Sequence, residues 1–452
     1  MNVKKLNKYV NLFIVLIILL LLMLTCYLFM HGEMTRNKMI LGLVLSFIIL
    51  MYSFALTWKV ESKLNLLLMC SSILMTTYII ECYLYFFYPV ADKTPTAIAN
   101  IAKNQGIENF DTRTKIQVVK DLRATGIDAY PSIHPSMLFS PKEVMWKNPD
   151  VFPLGGIANT NTVFCNESGK YITYQSDEHG FNNKSGMYKK LQNIDVVLIG
   201  DSFTQGACVP PDKNFAGNLT KHSLNVLNLG NAGSGPLIEY AIFKEYVTKI
   251  KPKIVLWIFC EHNDMDDLLK EQRVPVLRKY FTDDNFTQNL FIKQNSIDSA
   301  LKVFVNNQIN QYKNPGINFE SIFKLWEIRS RMGLLNKKNS FAKNTFQDQE
   351  MIFSNILLKT NRLTTSWNGH FCFVYLPGHY GFSSDNSRHY HMIMNIIQKL
   401  QIQYIDIFEI LSSHSDPLSL FPFRLPLHYN EEGYKIVSDE LLKMINTLIA
   451  KY

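Results

Sequence analysis

The sequence predicts an α/β protein, a parallel sheet covered by helices on both faces, preceded by an N-terminal region of transmembrane helices. Three long apolar runs with little charge occupy the first 90 residues, whereas from residue 195 onward short apolar runs alternate with segments of helical spacing. Such alternation means a parallel sheet with both faces covered. The polar punctuation also falls at the carboxyl ends of the apolar runs, as Gly200-Asp201-Ser202, Gly230 to Gly235 and Glu261-His262-Asn263-Asp264. Sites in such folds gather at those ends.

Val10 to Met30 is 21 residues without a charge, enough to cross a hydrocarbon core of about 30 Å as a helix. Lys4, Lys5 and Lys8 would also suit a signal peptide, but the run exceeds the usual apolar core of about 7–15 residues. It ends in Leu28-Phe29-Met30-His31 rather than in small side chains, so a retained helix is expected. Met39 to Trp58 and Leu64 to Tyr88 follow as second and third spans, with Glu81 tolerated near the interface among Tyr83, Tyr85 and Tyr88. An inside N-terminus puts five basic residues inside (Lys4, Lys5, Lys8, Lys59, Lys63) and four outside (Arg36, Lys38, Lys93, Lys103). The lysine-rich leading tail sets the same orientation. The expectation is a multi-pass protein of three helices in a lipid bilayer, its large C-terminal part extracytoplasmic.

The formal net charge is +8, and half of it lies in the first 90 residues, which carry seven Lys/Arg and three Asp/Glu. The remainder is nearly balanced, an ordinary solvated surface that excludes a nucleic-acid footprint. Cys26, Cys70 and Cys82 lie in apolar runs, while Cys165, Cys208, Cys260 and Cys372 are scattered singly. One or two disulfides are compatible with this, but the spacing does not choose a pairing. There is no paired Cys or His spacing for zinc, so neither a metal nor a cofactor is expected.

Residues 91–190 hold turn clusters and short β-like pieces such as Tyr171-Ile172-Thr173-Tyr174, read as an irregular collar. Within 191–452 the expected strands are Asp195 to Ile199, Leu224 to Leu229, Lys253 to Cys260, His370 to Leu376 and Gln403 to Ile407. Helices are expected at Asn214 to His222, Pro236 to Ile250, Arg388 to Leu400 and Glu431 to Ile449. The last has Asn430 as N-cap, acids in its first turn and an apolar face of Val437, Leu441, Met444, Ile445 and Leu448. About 265–350 reads as a mostly helical insertion with aromatics at Phe319, Phe323 and Trp326, expected to cap the cleft.

Four blocks occur in one order: Ser202 in IGDSFTQG, Gly233 in NLGNAGSG, Asn263 in CEHND and His428 in LHYNEEGY. This arrangement resembles the SGNH (GDSL-type) hydrolase family of esterases, lipases and acyltransferases, over residues 194–450 apart from the insertion. The resemblance implies a flavodoxin-like three-layer sandwich with about five parallel strands, and attack on an ester carbonyl. It makes Ser202 the nucleophile and His428 its base, with an oxyanion hole formed by the backbone N–H groups of Ser202 and Gly233 and the Asn263 amide. The chemistry is coherent, because a serine hydroxyl needs a base within reach and the tetrahedral intermediate needs donors at its oxyanion. Taken singly, Ser202 could be a helix N-cap, Gly233 turn chemistry, Asn263 a strand-end residue and His428 a surface histidine. Asp201 and Asp264 read as structural, bonding nearby loop amides.

Two departures stand out. Glu261 occupies a place where the family often has Gly. Leu425 stands three residues before His428, where the family usually has its acid, and leucine cannot accept the imidazole Nδ1–H. The nearest acceptors in sequence are the carbonyls of Arg424, Leu425 and Pro426, so a backbone oxygen is expected to orient the ring. The leading function is a membrane-anchored extracytoplasmic esterase or deacylase acting on an acylated glycan or lipid. An O-acyltransferase working with a separate membrane acyl-donor protein is the second reading. A catalytically silent binding module, favoured by Leu425 alone, is the third.

Overall fold

The computed structural model describes residues 3–30, 36–87, 95–140, 145, 146, 148, 150–312, 319–332, 343–382 and 387–450. The chain divides into two units: Met1–Val90 with Pro315–Lys337, and Ala91–Asn314 with Lys338–Tyr452.

In the first unit the apolar runs form helices Val3–Met30, Arg36–Ala55 and Val60–Phe87. Among the described residues two stretches, Val3–Met23 and Val60–Phe86, are long and apolar enough to cross a membrane; the apolar stretch found in the second helix, Leu45–Ala55, is shorter. Val10, Ile14, Tyr52, Ala55 and Leu66 pack together. Lys63 is buried and donates to Asn7 Oδ1 at 3.1 Å and Asn11 Oδ1 at 2.7 Å. Glu81, expected merely to sit near the interface, has a definite task. Its carboxylate accepts the Glu327 and Ile328 amides at 2.8 and 3.0 Å, at the start of the helix Trp326–Arg331. An anion there satisfies orphan helix donors and complements the macrodipole. Part of the expected cap, including Phe319, Phe323 and Trp326, thus belongs with the N-terminal helices.

In the second unit, residues 91–190 are less irregular than the composition suggests. Strands β1 (Ala129–Pro131), β2 (Asn161–Val163) and β3 (Thr173–Gln175) make a small sheet in the order β1-β2-β3. The main sheet comprises β4 (Val196–Gly200), β5 (Val226–Asn228), β6 (Ile254–Cys260), β7 (His370–Leu376) and β8 (Gln403–Asp406). All its pairings are parallel and the order is β5-β4-β6-β7-β8. This is the expected flavodoxin-like order, with the topological switch between β4 and its neighbours β5 and β6.

Strand alternation sorts the core into two faces. Val197, Ile199, Val255, Trp257, Phe259, Phe373 and Tyr375 share one cluster with the helices Pro236–Ile242, Lys343–Ser366 and Ser387–Lys399. Val196, Leu198, Leu256, Ile258, Cys372 and Val374 share the other with Phe215–Thr220 and Glu431–Ile449. The three-layer sandwich follows from this period of two. Tyr130, Ile133, Leu138, Phe152 and Val163 join the first cluster, so the 91–190 segment shares the core of the α/β unit.

Candidate active site

Ser202 begins the short helix Ser202–Gln205 directly after β4. The cap of that helix is Asp201, whose Oδ1 accepts the Phe203 amide at 2.9 Å, while its Oδ2 lies at 3.4 Å from the Ser202 hydroxyl, which has a closer partner. That partner is His428: Oγ and Nε2 are 2.8 Å apart. The helix Glu431–Ile449 presents the imidazole. Asn430 caps it by accepting the Gly433 amide, and Tyr434 donates its hydroxyl to the Phe203 carbonyl at 3.0 Å. Two elements 226 residues apart are thereby locked side by side.

The group orienting His428 is not the expected backbone carbonyl. Glu167 Oε1 lies 2.8 Å from His428 Nδ1, and Glu167 Oε2 accepts the His428 amide at 2.8 Å. The carbonyls near Leu425 have other work: Arg424 O meets His379 Nε2 at 3.0 Å, and Leu425 O accepts the Leu427 amide at 2.7 Å. Leu425 itself packs with Ile98, Ala102, Phe110 and Leu427, which explains an apolar residue at that place.

Glu167 sits on the loop between β2 and β3. The loop is closed by the Ile172 amide to the Cys165 carbonyl at 2.8 Å, and Gly169 turns it at φ +110°. Asn166 shapes the tip, accepting the Gly169 amide and donating to the Asp111 carbonyl, both at 2.8 Å. A disulfide joins Cys165 to Cys208, with a Cα–Cα separation of 5.2 Å. Sequence reasoning missed Glu167 because it lies 261 residues from His428. Its one local signal, an acid on a Gly-containing turn beside a cysteine, gains meaning only once Cys165 is known to pair with Cys208.

Gly233 lies in the turn after β5 and Asn263 in the turn after β6, so the two flank Ser202 across neighbouring strands. Gly233 has φ +63°, and a Cβ there would lie 2.3 Å from Ser136 Oγ and 3.1 Å from His134 Nδ1. Glycine is required both by the left-handed backbone and by this close approach. The turn is braced from two sides. Gln205 Oε1 accepts the Ala232 amide at 2.8 Å while its Nε2 donates to the Tyr174 hydroxyl at 2.8 Å. Glu271 accepts the Gly235 and Leu237 amides at 2.5 and 3.0 Å; burial pushes its carboxyl up to about 8. Asn263 donates Nδ2 to Asp267 Oδ2 at 2.9 Å. Asp264, buried, accepts the Cys260 amide at 2.7 Å. Burial raises the carboxyls of Asp201, Glu261 and Asp264, and for Asp201 the nearby His428 opposes that shift.

A cavity of about 320 Å³ opens at Gly233, lined also by Ser136, Ser140, Asp267 and Lys270. A larger one, about 910 Å³, follows the β5 edge past Asn183, Asn214, Asn225 and Val226, and includes none of Ser202, Gly233, Asn263 or His428. Of the four site residues the smaller cavity touches Gly233 alone. Glu167, Cys208 and His428 present possible ligand atoms within 4.8 Å of one another, yet the Cys208 sulfur is spent in the disulfide, so the trio does not form a metal centre.

No family model and no curated protein sequence matches the chain. Solved structures similar to it include LAE5, an α/β hydrolase enzyme from the metagenome of Lake Arreo, Spain, at 13% identity and TM-score 0.33, covering 56% of this chain and 95% of that one. The lipase/acylhydrolase from Enterococcus faecalis is similar at 11% identity and TM-score 0.31, covering 56% of this chain and 94% of its own. A variant of Axe2, an acetylxylan esterase from Geobacillus stearothermophilus, gives 13% identity, TM-score 0.31, and coverage of 56% and 94%. Likeness at this level says nothing of substrate, and the chemistry rests on the side chains described above.

Proposed function

We propose that the protein is a membrane-anchored serine esterase or deacylase of SGNH type, working outside the cytoplasm through Ser202, His428 and Glu167. The supporting observation is the hydrogen-bonded line from Ser202 Oγ to His428 Nε2, and from His428 Nδ1 to Glu167, each contact 2.8 Å. Ser202 attacks the ester carbonyl while His428 takes its proton. Glu167 holds Nδ1 as the donor, which leaves the Nε2 lone pair aimed at the hydroxyl, and its charge stabilises the imidazolium that forms. The oxyanion is met by the Ser202 and Gly233 amides; Asn263 adds its side chain by exchanging the bond to Asp267 for one to the substrate oxygen. His428 then protonates the leaving alcohol, and water, activated by the same imidazole, releases the acid from Ser202.

With Glu167 on the imidazole, the silent-module reading loses the observation that favoured it. An O-acyltransferase would use the same steps with a sugar hydroxyl in place of water. The disulfide supports an oxidising compartment, in line with the positive-inside orientation. The test is fluorophosphonate labelling of membranes and of intact cells. Labelling of the wild type that is lost in Ser202→Ala, and that reaches intact cells, is expected; equal labelling of both proteins would overturn the assignment.

A further inference from the structure

We propose that the Cys165–Cys208 disulfide is a positioning element of this site, carrying Glu167 to His428, so that catalysis requires the bond to be formed. The inference rests on the Ser202–His428–Glu167 reading and goes beyond it by giving the chain an oxidation-dependent activity.

Each end of the disulfide is attached to a part of the site. Cys165 precedes Glu167 by two positions on the β2–β3 loop. Cys208 follows the nucleophile helix, and the Ala207 amide, next to it in sequence, donates back to the Ser202 carbonyl at 2.9 Å. One end of the bridge is therefore fixed to the acid and the other to the nucleophile's own turn. Two further polar ties of the loop tip run elsewhere. Asn166 and Gly169 bond the backbone of Asp111, which lies in the same 91–190 segment. Those bonds shape the tip, but they do not tie it to the nucleophile turn. Apolar packing of Phe164, Tyr174, Ala207 and Cys208 surrounds the bridge, and Gln205 of the nucleophile helix donates to the Tyr174 hydroxyl at 2.8 Å; that bond holds β3, whereas the disulfide holds the chain two positions from Glu167.

Glu167 must meet two donors on one residue, the His428 amide and Nδ1, both at 2.8 Å. Such a bidentate fit is sensitive to displacement, and a misplacement of about 1 Å in a catalytic arrangement can lower the rate around 100-fold. The disulfide removes the freedom of the loop to drift by that amount. Forming it transfers two electrons and releases two thiol protons to a disulfide-bearing oxidant, protein or small molecule, which leaves as a dithiol. A chain not yet oxidised would carry Ser202 and His428 without a fixed acid.

The experiment uses the full-length chain in detergent, with p-nitrophenyl acetate hydrolysis and fluorophosphonate labelling rate as readouts. Four proteins form a cycle: wild type, Cys165→Ala/Cys208→Ala, Glu167→Gln, and the triple variant. If the bridge acts through Glu167, removing both cysteines lowers kcat by roughly 10- to 100-fold with KM nearly unchanged, and in the Glu167→Gln background lowers kcat no further. A merely structural bridge would lower the melting temperature in both backgrounds and leave kcat of the folded fraction alone. Should the cysteine variant fail to fold, folded wild type is reduced with dithiothreitol, which takes the two electrons' worth of oxidation as its own cyclic disulfide. Alkylation of a separate portion, counted above that of the unreduced protein with its free cysteines, reports the extent. The same loss of kcat, reversed by oxidised glutathione, is expected. Full kcat after complete reduction, or an equal further loss in the Glu167→Gln background, overturns the inference. Activity that survives Ser202→Ala instead overturns the underlying esterase reading, so the two failures are distinguishable.

Discussion

Replacing Glu167 by glutamine exchanges one carboxylate oxygen for an NH₂ group and should silence the site. In the native arrangement both carboxylate oxygens accept, one from the His428 backbone amide and one from Nδ1, each at 2.8 Å. A carboxamide has one acceptor and one donor. The backbone amide is an obligate donor, so it claims the carboxamide oxygen; the opposite orientation would set two donors against each other. The NH₂ group then faces Nδ1, which must accept, and the proton moves to Nε2. His428 in that tautomer points N–H at Ser202 and cannot take its proton. A wrong-tautomer substitution of this kind costs around 10⁴ in kcat, about 5 kcal/mol in the barrier. Here the expectation for Glu167→Gln is a loss of about 10³–10⁴ in kcat on p-nitrophenyl acetate, with KM within a few-fold and an unaltered melting temperature. Glu167→Asp keeps the charge but shortens the reach by one methylene, so it holds only one of the two donors and should fall between. A Glu167→Gln protein with kcat within threefold of wild type would refute the reasoning, and with it the role of Glu167 as third member of the site.

Gly233→Ala places a methyl 2.3 Å from Ser136 Oγ on a backbone at φ +63°, so the turn must shift; kcat should drop by about 10²–10³, and Ser136→Ala on top should recover part of it. Burial, with the Lys115 charge adding to it, holds His134 down to about 4, below its usual 6.5. A base with a depressed folded value gives stability that is present above about pH 6.5 and lost as pH falls towards 4. The melting temperature should decline across that window, and His134→Gln, removing this one titration, should flatten the decline in a thermal-shift series. Phosphatase reporters fused after Pro89 should be active only outside the cytoplasm; activity of cytoplasmic reporters there would reverse the orientation while leaving the ester chemistry in place.

The sequence by itself determined the α/β class, the strands of the main sheet and the order of the four blocks. Those features are local. The strand at His370–Leu376 and the helix at Glu431–Ile449 appear where their periods and the Asn430 cap put them. Ser202 and His428 were legible because each sits at the edge of such an element, and the sheet order brings those edges together. Tertiary structure alone decided the rest. Glu167 lies in a loop with no period, and its role is created by a contact 261 residues away. The disulfide pairing is likewise a matter of spatial proximity, which Cys spacing does not encode. Glu81 reads as a polar intruder in an apolar run until the amides of Glu327 and Ile328 are seen to meet it. Periodicity records what a residue does along its own element, whereas an acid satisfied by a distant donor leaves no mark on its neighbours in the chain. The position three residues before His428 could therefore be given to Leu425 for packing, since the charge the imidazole needs reaches it from another part of the fold.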